Sequence, residues 1–113
     1  MNIAFNEWLE RIGFENIKIK CIARIQNEYA AHFERFFIAD RRKNGIDLFN
    51  RSDGGEFASK EIGFSNIYEI YSDDDAGRYI GLTIKPIEIR LKEHLDRAEW
   101  QNRYYAKGWQ PYR

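Results

Sequence analysis

Asn66-Ile67-Tyr68-Glu69-Ile70-Tyr71-Ser72-Asp73-Asp74-Asp75-Ala76-Gly77-Arg78-Tyr79-Ile80-Gly81-Leu82-Thr83-Ile84 is the stretch on which the fold turns. Ile67–Tyr71 and Arg78–Ile84 are rich in β-branched and aromatic residues, and an acidic turn, Ser72–Gly77, separates them. Two such runs around a short polar turn predict a β-hairpin. Downstream, Pro86 suits the first turn of a helix, where its missing N–H costs nothing. Ile87, Leu91, Leu95 and Ala98 then form an apolar stripe, and Arg90, His94 and Arg97 lie on an adjacent one at spacings of four and three.

Upstream, Ile17–Ile25 alternates: every odd position is apolar and three of the four even ones are basic (Lys18, Lys20, Arg24). That is the pattern of a half-buried strand. Before it, Asn6 can cap a short helix, Glu7–Ile12, ending at Gly13. After it, Tyr29, Phe33, Phe36 and Phe37 recur at helical intervals, which predicts a helix over Asn27–Arg42 stopped near Asn44-Gly45. Ile46–Asn50 reads as a short extended piece, Ser52-Asp53-Gly54-Gly55 as a turn, and Glu56–Gly63 as a connector. The order is helix, strand, helix, turn, hairpin, helix. It predicts an α+β domain with a small three-stranded, mostly antiparallel sheet flanked by helices, occupying residues 1–113 as one unit.

The 18 basic and 18 acidic residues cancel. No global field steers the protein toward nucleic acid, so any such contact requires a local basic face. Cys21 is the only cysteine, which excludes an internal disulfide and a cysteine-based zinc site and fits a reducing compartment. No signal peptide is recognisable in Met1–Gly13, and no apolar run approaches a membrane span. A soluble, cytoplasmic protein is expected.

The hairpin and the helix after it carry a motif. Ile67-Tyr68 is followed, eleven positions on, by Tyr79-Ile80-Gly81, then by Thr83, Arg90 and His94. This resembles the GIY-YIG nuclease family, in which two strands bear the name motifs and the next helix bears an arginine, often with a histidine one turn later. The first motif departs at one place: Asn66 stands where the family has glycine. Asparagine tolerates unusual backbone angles better than most residues. The family's glutamate helix, and the asparagine before a Gly-Gly turn, normally lie downstream of the arginine. Here Glu93 and Glu99 share the arginine's own helix, and the pattern stands upstream instead. Glu34 falls on the glutamate position, and Asn50, ahead of Gly54-Gly55, on the asparagine position. Residues 1–55 therefore resemble the family's C-terminal half and 64–113 its N-terminal half, the arrangement of a circular permutation, with Glu56–Gly63 joining the old ends. A domain-swapped homodimer, each site taking Glu34 from one chain and Arg90 from the other, gives the same order. So does a segment spanning two tandem domains.

The resemblance implies a metal-dependent endonuclease acting on DNA phosphodiesters. The catalytic residues it implies are Tyr68, Tyr79, Arg90, His94 and Glu34, with Glu34 holding Mg²⁺ or Mn²⁺ and Asn50 and Gly81 as structural support. An alternative is a catalytically inactive module of the same fold that binds nucleic acid or protein. Chemically the set is suitable. A carboxylate holds a hard divalent cation, an arginine grips phosphate with paired donors, and a perturbed tyrosine or histidine takes a proton from water. Lys85, Arg90 and Arg97 are the candidate DNA contacts, with Arg41, Arg42 and Lys43 as a second basic group and Tyr104, Tyr105, Trp109 and Tyr112 as stacking candidates. Each has an ordinary reading when taken alone: strand tyrosines pack, and helical Arg, His and Glu are solvated. Their conjunction at suitable spacings is what points to a site.

Overall fold

The computed structural model describes residues 2–55 and 58–105. Strands β1 (Lys18–Gln26), β2 (Phe64–Ser72) and β3 (Asp75–Thr83) form one antiparallel sheet in the order β1-β2-β3. Helices α1 (Ile3–Ile12), α2 (Asn27–Lys43) and α3 (Ile87–Tyr105) pack against it. The α+β architecture expected from the sequence is the one observed. The hairpin is tighter than its acidic run suggests, since only Asp73 and Asp74 remain as turn. Asp75 is drawn into β3 because its carboxylate accepts the Gly77 N–H (2.9 Å) and the indole N–H of Trp8 (2.8 Å).

Successive strand residues point to opposite faces, and β2 is central, so its neighbours enter different layers. Tyr68 and Ile70 join Phe5, Trp8 and Leu9 of α1, Ala98 of α3 and Ile17 on one face. Ile67 and Ile80 meet Ile38 of α2 on the other. Between them Glu69 is also buried, at 3% exposure. A buried charge is tolerated only when paired, and the Arg41 guanidinium (3.1 Å) and the Lys20 ammonium (3.3 Å) supply the pairing.

Two local expectations are corrected. The α1 cap is Asn2, whose side chain accepts the Phe5 N–H. Asn6, one turn later, is buried and its amide donates to Gln101 Oε1 at 2.5 Å, while Asn102 donates to the Asn6 carbonyl. Ile46–Asn50, read as a short extended piece, forms no named strand. It makes a single parallel bridge, Leu48 to Arg78, and runs along the free edge of β3 through hydrogen bonds between Arg78 and the main chain of Asp47 and Phe49, covering an edge that would otherwise be exposed. On α3 the inward line includes His94, at 4% exposure, beside Ala98 and Gln101. Of the adjacent stripe, Arg97 is exposed and Arg90 partly so, and the ordinary solvated reading fails at His94.

Among the described residues, no helix is long and apolar enough to cross a membrane.

Candidate active site

The β2–β3 register sets Gly81 directly opposite Tyr68. The phenol lies over Gly81 so closely that a Cβ there would stand 2.1 Å from Tyr68 Cζ and 2.2 Å from Oη. Only a residue without a side chain leaves this path open. The path leads to α3, where Tyr68 Oη is 2.8 Å from His94 Nε2. Arg90, one turn earlier on α3, approaches the same phenol and favours its ionised form. Burial outweighs that pull and, with Tyr79 and Glu34 adding to it, holds the Tyr68 phenol above its ordinary range. Burial also pulls His94 down to about 3, assisted by Arg90 and Arg97. His94 is therefore neutral and presents one unprotonated ring nitrogen; with Tyr68 donating, that nitrogen is Nε2.

This burial has a pH consequence. The unfolded chain protonates His94 near 6.5 and the folded protein only near 3, so in between the unfolded state holds the extra proton and stability falls as pH falls. One proton contributes about 1.4 kcal/mol per pH unit, so about 2 kcal/mol should be lost between pH 6.5 and 5. Urea denaturation at several pH values checks this. His94→Gln should flatten the slope in that window, which lies above the carboxylate range.

Tyr79 lies on the same face of the hairpin, half-buried. It stacks on Phe5 (4.5 Å between centroids, 15° between planes) and meets the His94 ring edge-on at 5.3 Å. Burial raises its phenol; Arg90 and Arg97 oppose that rise, and Glu34 adds to it.

Glu34 comes from the other side of the sheet. On α2 the inward residues are Asn27, Ala30, Glu34 and Ile38, while Tyr29, Phe33 and Phe36 face outward. Glu34 Oε1 accepts the Gly55 N–H at 2.5 Å. Gly54 and Gly55 both have positive φ (96° and 82°), the conformation for which glycine is the default. A Cβ on Gly54 would press on Ile38 at 2.9 Å and on Glu34 Oε1 at 3.1 Å. The Gly-Gly turn thus wraps the carboxylate.

Asn50 fixes that loop. Its amide donates to the Ile80 carbonyl (2.6 Å), and its Oδ1 accepts the Ile80 N–H (2.8 Å), so the loop is clamped to β3 between Tyr79 and Gly81. Asn50→Ala should cost about 2 kcal/mol in chemical denaturation, since two hydrogen bonds are lost. Asn50→Asp, which keeps only the acceptor, should not restore it.

Two residues of the second basic group, Arg41 and Arg42, are engaged within the fold. Arg41 pairs with Glu69, and Arg42 holds Asp53 and the carbonyls of Asn50 and Ser52, bracing the loop from behind. Lys85, Arg90 and Arg97 do come together, lining a cleft of 390 Å³ with Ser59, Ser65, Thr83 and Glu93. Asn66 sits in regular pairing, opposite Arg24 and Thr83, and among the described residues only glycines have positive φ. The glycine's freedom is not needed here, and the Asn66 amide instead donates to the Lys85 carbonyl at 3.2 Å, tying β2 to the start of α3.

Comparison with family models, with characterised proteins and with solved structures gives no match for this chain. The chemistry rests on the geometry alone. One carboxylate, two phenols, a neutral imidazole and an arginine are the groups it offers. Among the described residues no three His, Cys, Asp or Glu side chains cluster as metal ligands. A closed zinc site is thereby unsupported. A single carboxylate fits Mg²⁺ or Mn²⁺, which keep several waters and take ligands from substrate phosphate.

Tyr68, Tyr79 and His94 meet on the α1–α3 face of the sheet, while Glu34 lies on α2 against the Gly54-Gly55 turn and is not among the residues lining the Arg90 cleft. Phe5, the Gly55 amide and the pairing of Glu93 were not legible as site features, because each depends on partners far away in the chain. The side chains of Tyr104 and Tyr105, and Lys107, Trp109, Tyr112 and Arg113, lie outside the described part.

Proposed function

We propose that this chain is a metal-dependent endonuclease hydrolysing DNA phosphodiester bonds, a GIY-YIG-like domain with its halves in permuted order. The observation that carries this reading is that Tyr68, passing over Gly81, reaches His94 at 2.8 Å, one turn of α3 from Arg90, which lines a cleft with Lys85 and Arg97. Arg90 holds the scissile phosphate with paired donors. Glu34, kept in place by the Gly55 N–H, holds Mg²⁺ or Mn²⁺, which when bound supplies charge stabilisation at the phosphate and the departing oxygen. Tyr79 is the more accessible phenol and is placed to orient the attacking water. Tyr68 and neutral His94, hydrogen-bonded to each other, pack against Tyr79 and hold its ring in place.

Supercoiled, linear and single-stranded DNA incubated with the protein and Mg²⁺ or Mn²⁺ should give nicked or cut products that a chelator abolishes. If every DNA form stays intact with both metals, the reading fails. The second reading, a binding module without catalysis, is favoured by one observation: Tyr68, the buried phenol, is raised away from the ionisation a base requires. It predicts DNA binding that metal leaves unchanged.

The permuted order is supported by the contact of α3's end with α1, through Asn6, Gln101 and Asn102. A protein with its ends joined by a short linker and reopened between Ala58 and Lys60 should fold with a similar melting temperature and keep any cleavage activity. Failure of that chain to fold would contradict the permutation.

A further inference from the structure

Glu93 stands where the cleft would receive a phosphate. It lines the same cleft as Lys85, Arg90 and Arg97. Its carboxylate lies 2.6 Å from Lys85 Nζ and 3.4 Å from Arg90 Nη1, while the Glu93 side chain itself is 35% exposed. Arg97, the third cation of the cleft, makes no ion pair among the described residues. The resting cleft thus holds two cations already engaged by one acid, and a third cation beside them.

We propose that Glu93 is a displaceable counter-anion: it takes, in the resting protein, the Lys85 and Arg90 donors that a phosphate takes in the complex. This rests on the reading of the cleft as a phosphodiester site. Carboxylate and phosphate oxygens compete for the same charge-assisted donors, and a phosphate arriving beside an unmoved Glu93 meets like charge at close range. A small isolated anion must displace Glu93 alone. A nucleic-acid strand brings neighbouring phosphates, which Arg97 can hold, and so offsets the displacement. Glu93 is therefore a specificity-determining residue that favours a polyanionic strand over free phosphate. It can leave toward solvent, because among the described residues its ion pairs are to Lys85 and Arg90, which the phosphate itself would occupy.

The test is binding in the presence of a chelator, with inorganic phosphate and a short labelled oligonucleotide as separate probes. Glu93→Gln should bind phosphate about tenfold more tightly than the unmodified protein, and the oligonucleotide with a smaller gain, so that discrimination between the two narrows. Glu93→Ala should act in the same direction, with melting temperatures confirming that both variants fold. In a Lys85→Gln background the gain from Glu93→Gln should shrink, because the two act as a pair. Unchanged or weaker phosphate binding in both Glu93 variants overturns the proposal, as does the absence of anion binding by every form. Tighter binding in the variants with no DNA cleavage in Mg²⁺ supports the role of Glu93 and overturns the nuclease reading alone.

Discussion

Glu34→Gln should leave the protein folded and reduce divalent-dependent DNA cleavage by about a thousandfold, equivalent to about 4 kcal/mol of barrier. The substitution is nearly isosteric. The glutamine side-chain oxygen can still accept the Gly55 N–H that now binds Oε1, so the Gly54-Gly55 wrap and its packing on Ile38 should persist. On the proposed reading, what is lost is the negative charge that would hold the cation. Arg90→Ala should then give a loss of similar size by a different route, since it would remove the phosphate grip and leave Glu34 in place. Arg90 also helps to depress His94 and opposes the rise of the Tyr68 phenol, so in Arg90→Ala the His94 midpoint should rise, which NMR titration can read. Single-turnover cleavage rates on supercoiled plasmid, with melting curves for each variant, check the pair. A Glu34→Gln protein that cleaves within threefold of the unmodified one would remove Glu34 from the reaction.

Gly81→Ala should be among the most damaging single-methyl additions in the chain, costing about 3 kcal/mol or more. The added Cβ would meet Tyr68 Cζ at 2.1 Å and Oη at 2.2 Å. The ring cannot yield easily, because it is buried to 1% exposure and tied to His94. Tyr68→Phe should not rescue it, since the clash involves the ring carbon as well as the hydroxyl. Tyr68→Ala should: although that truncation empties core space and is costly alone, the double variant should be much less destabilised than the sum of the singles. Urea denaturation of the four proteins gives the coupling energy directly. An additive result would place the ring elsewhere than over Gly81.

What was legible from the sequence is what local pattern determines. The strand at Lys18–Gln26 followed from strict alternation, and the hairpin followed from two β-rich runs around an acidic turn. The helices α2 and α3 followed from their spacing and from Pro86. Burial was less legible, because it depends on partners far along the chain. Glu34 is one residue from Phe33 and two from Phe36, and the aromatics look like the core side. The observed inward line is Ala30, Glu34 and Ile38, because a loop some twenty residues later brings the Gly55 amide to the carboxylate. His94 stands in sequence as a site candidate whose ordinary reading is a solvated helix face; it is buried and bonded by Tyr68, which reaches across Gly81. Asn2 and Asn6 lie one helical turn apart, so either suits a cap. The choice was made by Gln101, 95 positions away, which claims the Asn6 amide. Asn50 and Gly81 were legible only through the resemblance; the structure gives each a physical reason, two hydrogen bonds to Ile80 and a path for a phenol.

Complementation distinguishes a site built by one chain from a site shared between two. Glu34→Gln and Arg90→Ala proteins should be unfolded together, refolded as a mixture and assayed for Mg²⁺-dependent nicking of supercoiled plasmid beside the unmodified protein. If Glu34 and Arg90 serve one site from one chain, the unmodified protein nicks and the mixture stays as inactive as either variant. Nicking by the mixture would mean that the two residues meet across a swapped dimer, and an unmodified protein that leaves the plasmid intact with every divalent cation would mean that Glu34, Arg90 and the two tyrosines do not make an active site.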